Sequence, residues 1–243
     1  MFWKKNKKFL TDAHCHLLDY ENLNDVEFNT FCVTTRPEQF LEARKLQQNN
    51  SLIRAGLGLF PLFIKDEKKD LELFEKYFEN TNLIGEVGLD FTVEEDLRTS
   101  QIRIFKRILD LAESKENCVL SLHSRRSSEK IIEMIKGRKS KFIFHWYSGS
   151  INFVKEAQKN IYFSLNPAMV RSRSGKEILR QVSLDQILLE SDAPYVKMEQ
   201  DEYGTELCTR VVEALAQQRG KKMDEILLKS YDNFLKLFPP YQK

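Results

Sequence analysis

The sequence predicts a single-domain α/β chain, a (β/α)8 TIM barrel over residues 1–243. Three observations predict it. Eight short apolar runs alternate with longer helical patterns along the whole length, which is the arithmetic of that barrel. Most of the runs are near-continuous in apolar residues rather than alternating, as strands covered on both faces should be. The Gly-rich first turn that the rival doubly wound sheet normally carries is absent.

The expected strands are residues 9–16 (FLTDAHCH), 28–34 (FNTFCVT), 52–59 (LIRAGLGL), 82–87 (NLIGEV), 118–123 (CVLSLH), 141–146 (KFIFHW), 160–165 (NIYFSL) and 186–190 (QILLE). Between them, 71–80 repeats apolar residues at three and four. So does 102–115, where Ile104, Ile108 and Leu111 make one stripe with Phe105 and Leu109 beside it. Residues 127–137 open with Ser caps and stop at Gly137. Residues 203–219 and 223–237 read as two closing helices.

Composition narrows the function. Lys and Arg number 38 and Asp and Glu 36, a net charge of +2, so a wholly basic nucleic-acid binder is excluded and any polyanion site must be local. No run approaches the ~18–20 apolar residues that span a bilayer, and charges follow the basic start where a signal peptide needs an apolar stretch. The expectation is a cytoplasmic chain with no membrane partner. Cys15, Cys32, Cys118 and Cys208 form no CxxC pair and read as reduced, buried residues.

Four histidines are present, His14, His16, His123 and His145, and each lies at or near the end of an expected strand. In a strand, residues two apart share a face, so His14-x-His16 is either a chelating pair or two unrelated half-buried rings. Glu86, His123, His145 and Asp192 each stand at the polar end of an apolar strand, and a barrel keeps its catalytic groups there. Buried imidazoles and carboxylates need partners, and a metal is the economical common one. Six donors exceed one tetrahedral ion and suit two divalent ions ~3.5–4 Å apart. No strand-end Lys is placed to bridge, so Glu86 is the expected bridge. Ligand type and phosphoryl chemistry leave Mg, Mn and Zn open.

The motifs TDAHCH, GEVGLDF, the following Gln101, LHSRR, FHWYSGS and LESDAPY resemble the TatD family of metal-dependent deoxyribonucleases, in order from Thr11 to Phe238. The resemblance implies a (β/α)8 fold related to the amidohydrolase barrels and a divalent-metal site of His14, His16, Glu86, His123, His145 and Asp192. It implies hydrolysis of DNA phosphodiesters, usually from a 3′ end. VTTRPEQF, SLHSRR, HWYSGS and FSLNPAM look most like the short members of Qat anti-phage operons, which implies other proteins of such an operon as partners. Two departures stand out. Phe60 in GLFP replaces the His of the family's GxHP motif, and acidic MEQDEYGTELCTR replaces a basic stretch after the last strand.

These readings give an expected mechanism. His14 and His16 with Glu86 and Asp192 hold one ion, and His123 and His145 with Glu86 hold the other. Asp192 takes the proton of the attacking water. Arg125 is either a phosphate contact or a solvated helix-start side chain. Arg171 and Arg173 follow the seventh strand, where barrels often bind phosphate, or lie in solvent. Trp146 and Tyr147 either stack bases or pack in the core. Ser148, Gly149 and Ser150 read as a turn that either supplies backbone N–H groups or, the larger share, caps the next helix. Cys15 should face away from the two ligand histidines, and the basic runs 4–8 and 136–141 read as solvated surface. DNA is the expected partner, with RNA as the alternative substrate. A hydrolase of small-molecule or aminoacyl esters and a binding subunit of a defence complex are the competing functions.

Overall fold

The computed structural model describes residues 2–20, 26–196 and 205–239. Eight parallel strands close into one barrel: β1 Thr11–Cys15, β2 Asn29–Val33, β3 Ile53–Gly56, β4 Leu83–Gly88, β5 Val119–His123, β6 Lys141–His145, β7 Ile161–Leu165 and β8 Ile187–Leu189. All eight lie inside or within a residue of the expected runs. The helices described are α1 Phe2–Asn6, α2 Phe40–Asn49, α3 Glu67–Phe78, α4 Glu95–Glu113, α5 Ser128–Ile135, α6 Ile151–Glu156, α7 Pro167–Arg171, α8 Arg173–Gln181, α9 Thr205–Arg219 and α10 Met223–Leu237.

Ladders join β1, β2 and β3, and then β4 through β8 in order. Two seams complete the ring. Between β3 and β4 the chain continues pairing past β3, with Leu57 N donating to Leu83 O at 3.0 Å and Gly85 N to Leu57 O at 2.8 Å. Between β8 and β1, Asp192 N donates to His14 O at 3.0 Å and His16 N to Ala193 O at 2.9 Å. Deeper in that seam the Asp12 carboxylate takes the place of a ladder, accepting from Ser191 N at 3.0 Å.

Period-two alternation sets the barrel interior. Val119 and Ile143 lie two residues or a multiple below His123 and His145, and Leu188 lies below Glu190. These lower residues join Phe31, Val33 and Tyr162 in a buried cluster that α10 caps with Phe234 and Leu237, and the residue after it with Phe238. Phe238 meets Phe31 at 4.5 Å and Phe234 at 4.7 Å between ring centroids. Asn233 Nδ2 ties the same helix to Leu184 O at 2.8 Å and Ile187 O at 3.0 Å. The closed end is therefore a plug, and the chemistry is confined to the opposite end. Phe234→Ala should cost ~3–5 kcal/mol, the usual penalty for emptying a buried Phe site. The urea unfolding midpoint measures it, and a loss under ~1 kcal/mol would show that α10 does not support the ring.

The outer helices bury the expected faces. In α4, Ile104, Phe105, Ile108, Leu109 and Ala112 are buried. This helix and α3 begin earlier than their apolar stripes suggest, because acidic first turns favour a helix start. Asp66 accepts from Lys69 N at 3.2 Å to cap α3. Ser127 does not cap α5; its hydroxyl donates to Leu89 O at 2.7 Å, fastening the helix start to the end of β4. Ser150 stands at the start of α6 without a side-chain capping bond, so the expected capping role there is not met. No helix among the described residues is long and apolar enough to cross a membrane.

Candidate metal centre

The six expected donors converge at the open end of the barrel. β1 carries His14 and the residue after it carries His16, and their Nε2 atoms are 3.2 Å apart. Ser121 Oγ lies 2.7 Å from His14 Nδ1, which aims the other nitrogen into the cavity. Glu86 stands between two groups. Its Oε2 lies 3.6 Å from His16 Nε2 and 4.0 Å from His14 Nε2. Its Oε1 lies 3.1 Å from His123 Nδ1 and 3.2 Å from His145 Nε2. Asp192 Oδ1 closes the first group, 3.4 Å from His16 Nε2 and 3.8 Å from His14 Nε2. The His14 and His145 rings stack at 3.9 Å, joining the two groups across the mouth.

The local backbone is shaped to deliver these groups. Asp192 has φ of 50° and Trp146 φ of 41°, both in the left-handed region that non-glycine residues seldom adopt. Such conformations concentrate at functional sites, where the surroundings fix them. Gly88 has φ of +134°, and a Cβ there would stand 2.2 Å from His123 O. Only glycine lets β4 and β5 approach that closely just below the donors.

A second layer orients the donors. Asp90 Oδ2 accepts from His123 Nε2 at 2.8 Å, so His123 presents Nδ1 to Glu86. Glu190 is fully buried and accepts from Asn166 Nδ2 at 2.8 Å, from Trp146 N at 3.1 Å and from Ser164 Oγ. It also lies 3.8 Å from His145 Nδ1, gathering the ends of β6, β7 and β8. Sequence reasoning missed both residues. The signal for Glu190 was its place as the polar residue that ends the eighth apolar run; Asp90 falls between the fourth run and the next helix. Asp90→Asn should fold normally, yet weaken cation binding ~10–100-fold, the usual effect of losing a carboxylate behind a ligating histidine. Titration of the protein with Mn²⁺ or Zn²⁺ reads this out, and an unchanged affinity would remove Asp90 from that role.

Electrostatics in the cluster are governed by burial and by mutual charge. Burial pushes the Glu86 carboxyl up, but hydrogen bonds from His123 and His145 outweigh it and hold the group well below the ordinary range. Burial drives His14 well below the usual imidazole value. His145 is lowered by burial and raised further by Glu190 and Glu86, ending well above it. Burial raises Asp90, while its bonds to His123 and Thr92 bring it down to about 2. The donor set fits a divalent cation. Three groups of His and acidic residues, His14–His16–Asp192, His14–His145–Glu190 and Glu86–His123–His145, each bring their ligand atoms within 4.8 Å of one another. Imidazole nitrogens with carboxylate oxygens are the donors that first-row divalent ions take, and the nitrogens turned into the cluster are His14 Nε2, His16 Nε2, His123 Nδ1 and His145 Nε2.

A cavity of about 490 Å³ opens above the donors. Of the expected substrate contacts, Arg125 and Trp146 line it, and Trp146 is 40% exposed. Tyr147 is buried at 1% exposure and packs against Phe144, Phe153 and Phe163, so it is a core residue. Arg171 and Arg173 do not reach the cavity. Asn166 caps α7 directly after β7, accepting from Met169 N at 3.1 Å, and the two arginines stand exposed at the far end of α7 and the start of α8. Cys15 is buried and points away from the donors, its thiol donating to Ala193 O at 3.7 Å. Phe60 lines the cavity edge-on to His123, with ring centroids 4.8 Å apart. Tyr195, missed from sequence, donates its hydroxyl to Asp19 Oδ2 at 2.8 Å across the rim. Much of the acidic stretch at 199–206 lies outside the described residues.

The profile of the TatD related DNase family matches residues 11–239, nearly the entire chain. The chain belongs to the TatD family. A TatD family member is a hydrolytic enzyme, and the relatives agree. Deoxyribonuclease TATDN3 of Homo sapiens is 26% identical over 260 residues, covering 95% of this chain and 94% of the human protein. An uncharacterized metal-dependent hydrolase of Methanocaldococcus jannaschii is 27% identical, covering 93% of this chain and 96% of its own length. Among solved structures, the TatD homolog YjjV of Escherichia coli superimposes with a TM-score of 0.83 at 23% identity, over 95% of this chain and 98% of that one. That likeness carries the barrel fold for this TatD chain.

Proposed function

We propose that this chain hydrolyses phosphodiester bonds of DNA at single-stranded ends, in the 3′-to-5′ direction, with two divalent cations (Mg²⁺, Mn²⁺ or Zn²⁺) in the site. The observation that carries the reading is Glu86, whose two oxygens each face a separate pair of histidine nitrogens. His14, His16, Glu86 and Asp192 hold one cation, and Glu86, His123 and His145 hold the other. When bound, such a pair supplies Lewis acidity and brings the acidity of water to near neutrality.

The chain's own residues do the rest. Asp192 stands on the cavity wall and accepts the proton of the attacking water. Asp90 and Glu190 keep His123 and His145 turned toward Glu86 and the cation they would share with it. Arg125 lines the same cavity and offers a forked donor to a phosphate oxygen. Trp146, half-exposed beside His145, gives a base a face to stack on. Arg171 and Arg173 stay in solvent and take no part. The name of the human relative, a deoxyribonuclease, supports DNA as the substrate. The sequence motifs shared with Qat members support a role in anti-phage defence beside other proteins of such an operon.

End-labelled single- and double-stranded DNA, RNA and carboxylic ester substrates, each with Mg²⁺, Mn²⁺ or Zn²⁺, test this. The expected result is a ladder from the 3′ end of single-stranded DNA that disappears with chelator. Chelator-resistant cleavage, or turnover of esters alone, would overturn the nuclease reading. Cleavage that appears only after partner proteins are added would instead make the chain a subunit of a defence complex.

A further inference from the structure

We propose that Phe60 and Phe63 form a seat for the nucleobase of the end nucleotide, so that the site reads base-bearing ends and not backbone alone. The proposal deepens the nuclease reading above and rests on it. Both residues lie after β3 and line the cavity. Their rings stand 5.1 Å apart at 69° to each other, forming an apolar corner. The corner starts at a donor imidazole, because the Phe60 ring meets His123 at 4.8 Å and 81°.

The corner is held rigidly. Phe60 N donates to Thr35 O at 2.8 Å, and Phe63 N donates to Phe60 O at 3.0 Å. The Arg36 guanidinium lies 4.7 Å from the Phe63 ring centroid and fixes its plane. Phe63 nevertheless remains 37% exposed. Two flat apolar rings contribute nothing to cation binding, and an apolar wall in a cavity with a few convergent polar groups is the part that takes the flat apolar portion of a ligand. A reader of backbone alone needs several cationic side chains. Among the described lining residues, Arg125 is the one Arg or Lys. Arg125 and the cations would hold the phosphate, and base–aromatic contact is what the Phe60 and Phe63 wall adds to the face that Trp146 offers. The cavity volume of about 490 Å³ is that of a pocket for one small ligand.

Binding of product-like ligands tests the seat without relying on turnover. The probes are dTMP, dAMP and 2-deoxyribose 5-phosphate, titrated calorimetrically into the Mg²⁺-loaded protein. The wild type is expected to bind the two nucleotides about fivefold to a hundredfold more tightly than the sugar phosphate, the range that base stacking supplies. Phe63→Leu, which keeps apolar volume but removes the flat ring, should bring the nucleotides close to the sugar phosphate. Equal affinities in the wild type overturn the seat. So does an undiminished preference in both Phe63→Leu and Phe60→Leu, which would place the base elsewhere. If single-stranded DNA is cleaved and no preference is found, the seat fails alone. If the preference is found but no DNA is cleaved under any condition, the nuclease reading fails while base binding stands.

Discussion

Glu86→Gln should abolish turnover while leaving the barrel folded. One oxygen of Glu86 faces His14 and His16, and the other faces His123 and His145. An amide presents one oxygen and an NH₂ group, so it serves one side and repels a cation from the other. Lewis-acid stabilisation is worth several kcal/mol, and each 1.36 kcal/mol is tenfold in rate. The expected loss is about a thousandfold in kcat/KM, with bound metal falling from two ions per chain to one or none by elemental analysis. An unchanged circular dichroism spectrum separates this from unfolding. Full metal content with full activity would remove Glu86 from the bridging position.

Asp192→Asn should be the second large effect, for a different reason. The residue sits at φ of 50°, a region asparagine tolerates almost as well as aspartate. The backbone bonds that Asp192 makes across the barrel seam survive the change. What disappears is the negative charge: the basic oxygen that takes the proton of water, and part of the hold on the cation shared with His14 and His16. General base catalysis contributes ~10²–10⁴-fold, so kcat should fall by about that factor with KM changing far less. A kcat within a few-fold of wild type would show that another group accepts the proton.

The strands were legible in the sequence because a parallel strand buried on both faces is a short, almost unbroken apolar run, and that pattern is hard to produce otherwise. Helices α6, α7 and α8 were not legible for the converse reason. In RSGKEILRQ, α8 buries Gly175, Ile178 and Leu179, too few to set a period. The six donors could be read because histidine is scarce in this chain and each one ends a strand. Asp90 and Glu190 act through a hydrogen bond or a carboxylate–imidazole contact that only the folded geometry specifies. Tyr195 is likewise invisible in one dimension: its place depends on the segment after β8 turning back to meet Asp19. The choice between phosphate and solvent stayed open for Arg171 and Arg173 because their distance along the chain from β7 says nothing about the direction in which α7 carries them.

The seam between β8 and β1 has a consequence for how the protein assembles. His14 and His16 come from the first strand, and Asp192 from just beyond the last, joined there by Asp192 N to His14 O and His16 N to Ala193 O. One of the two groups of donors is therefore the clasp of a necklace, built from links separated by almost the full span of the polypeptide. A partly folded chain lacking either end has no such group to offer, so a cation selects the fastened form and stabilises it by mass action. With a cation bound there, occupancy and fastening would be one equilibrium, and its concentration would set how firmly the necklace stays shut.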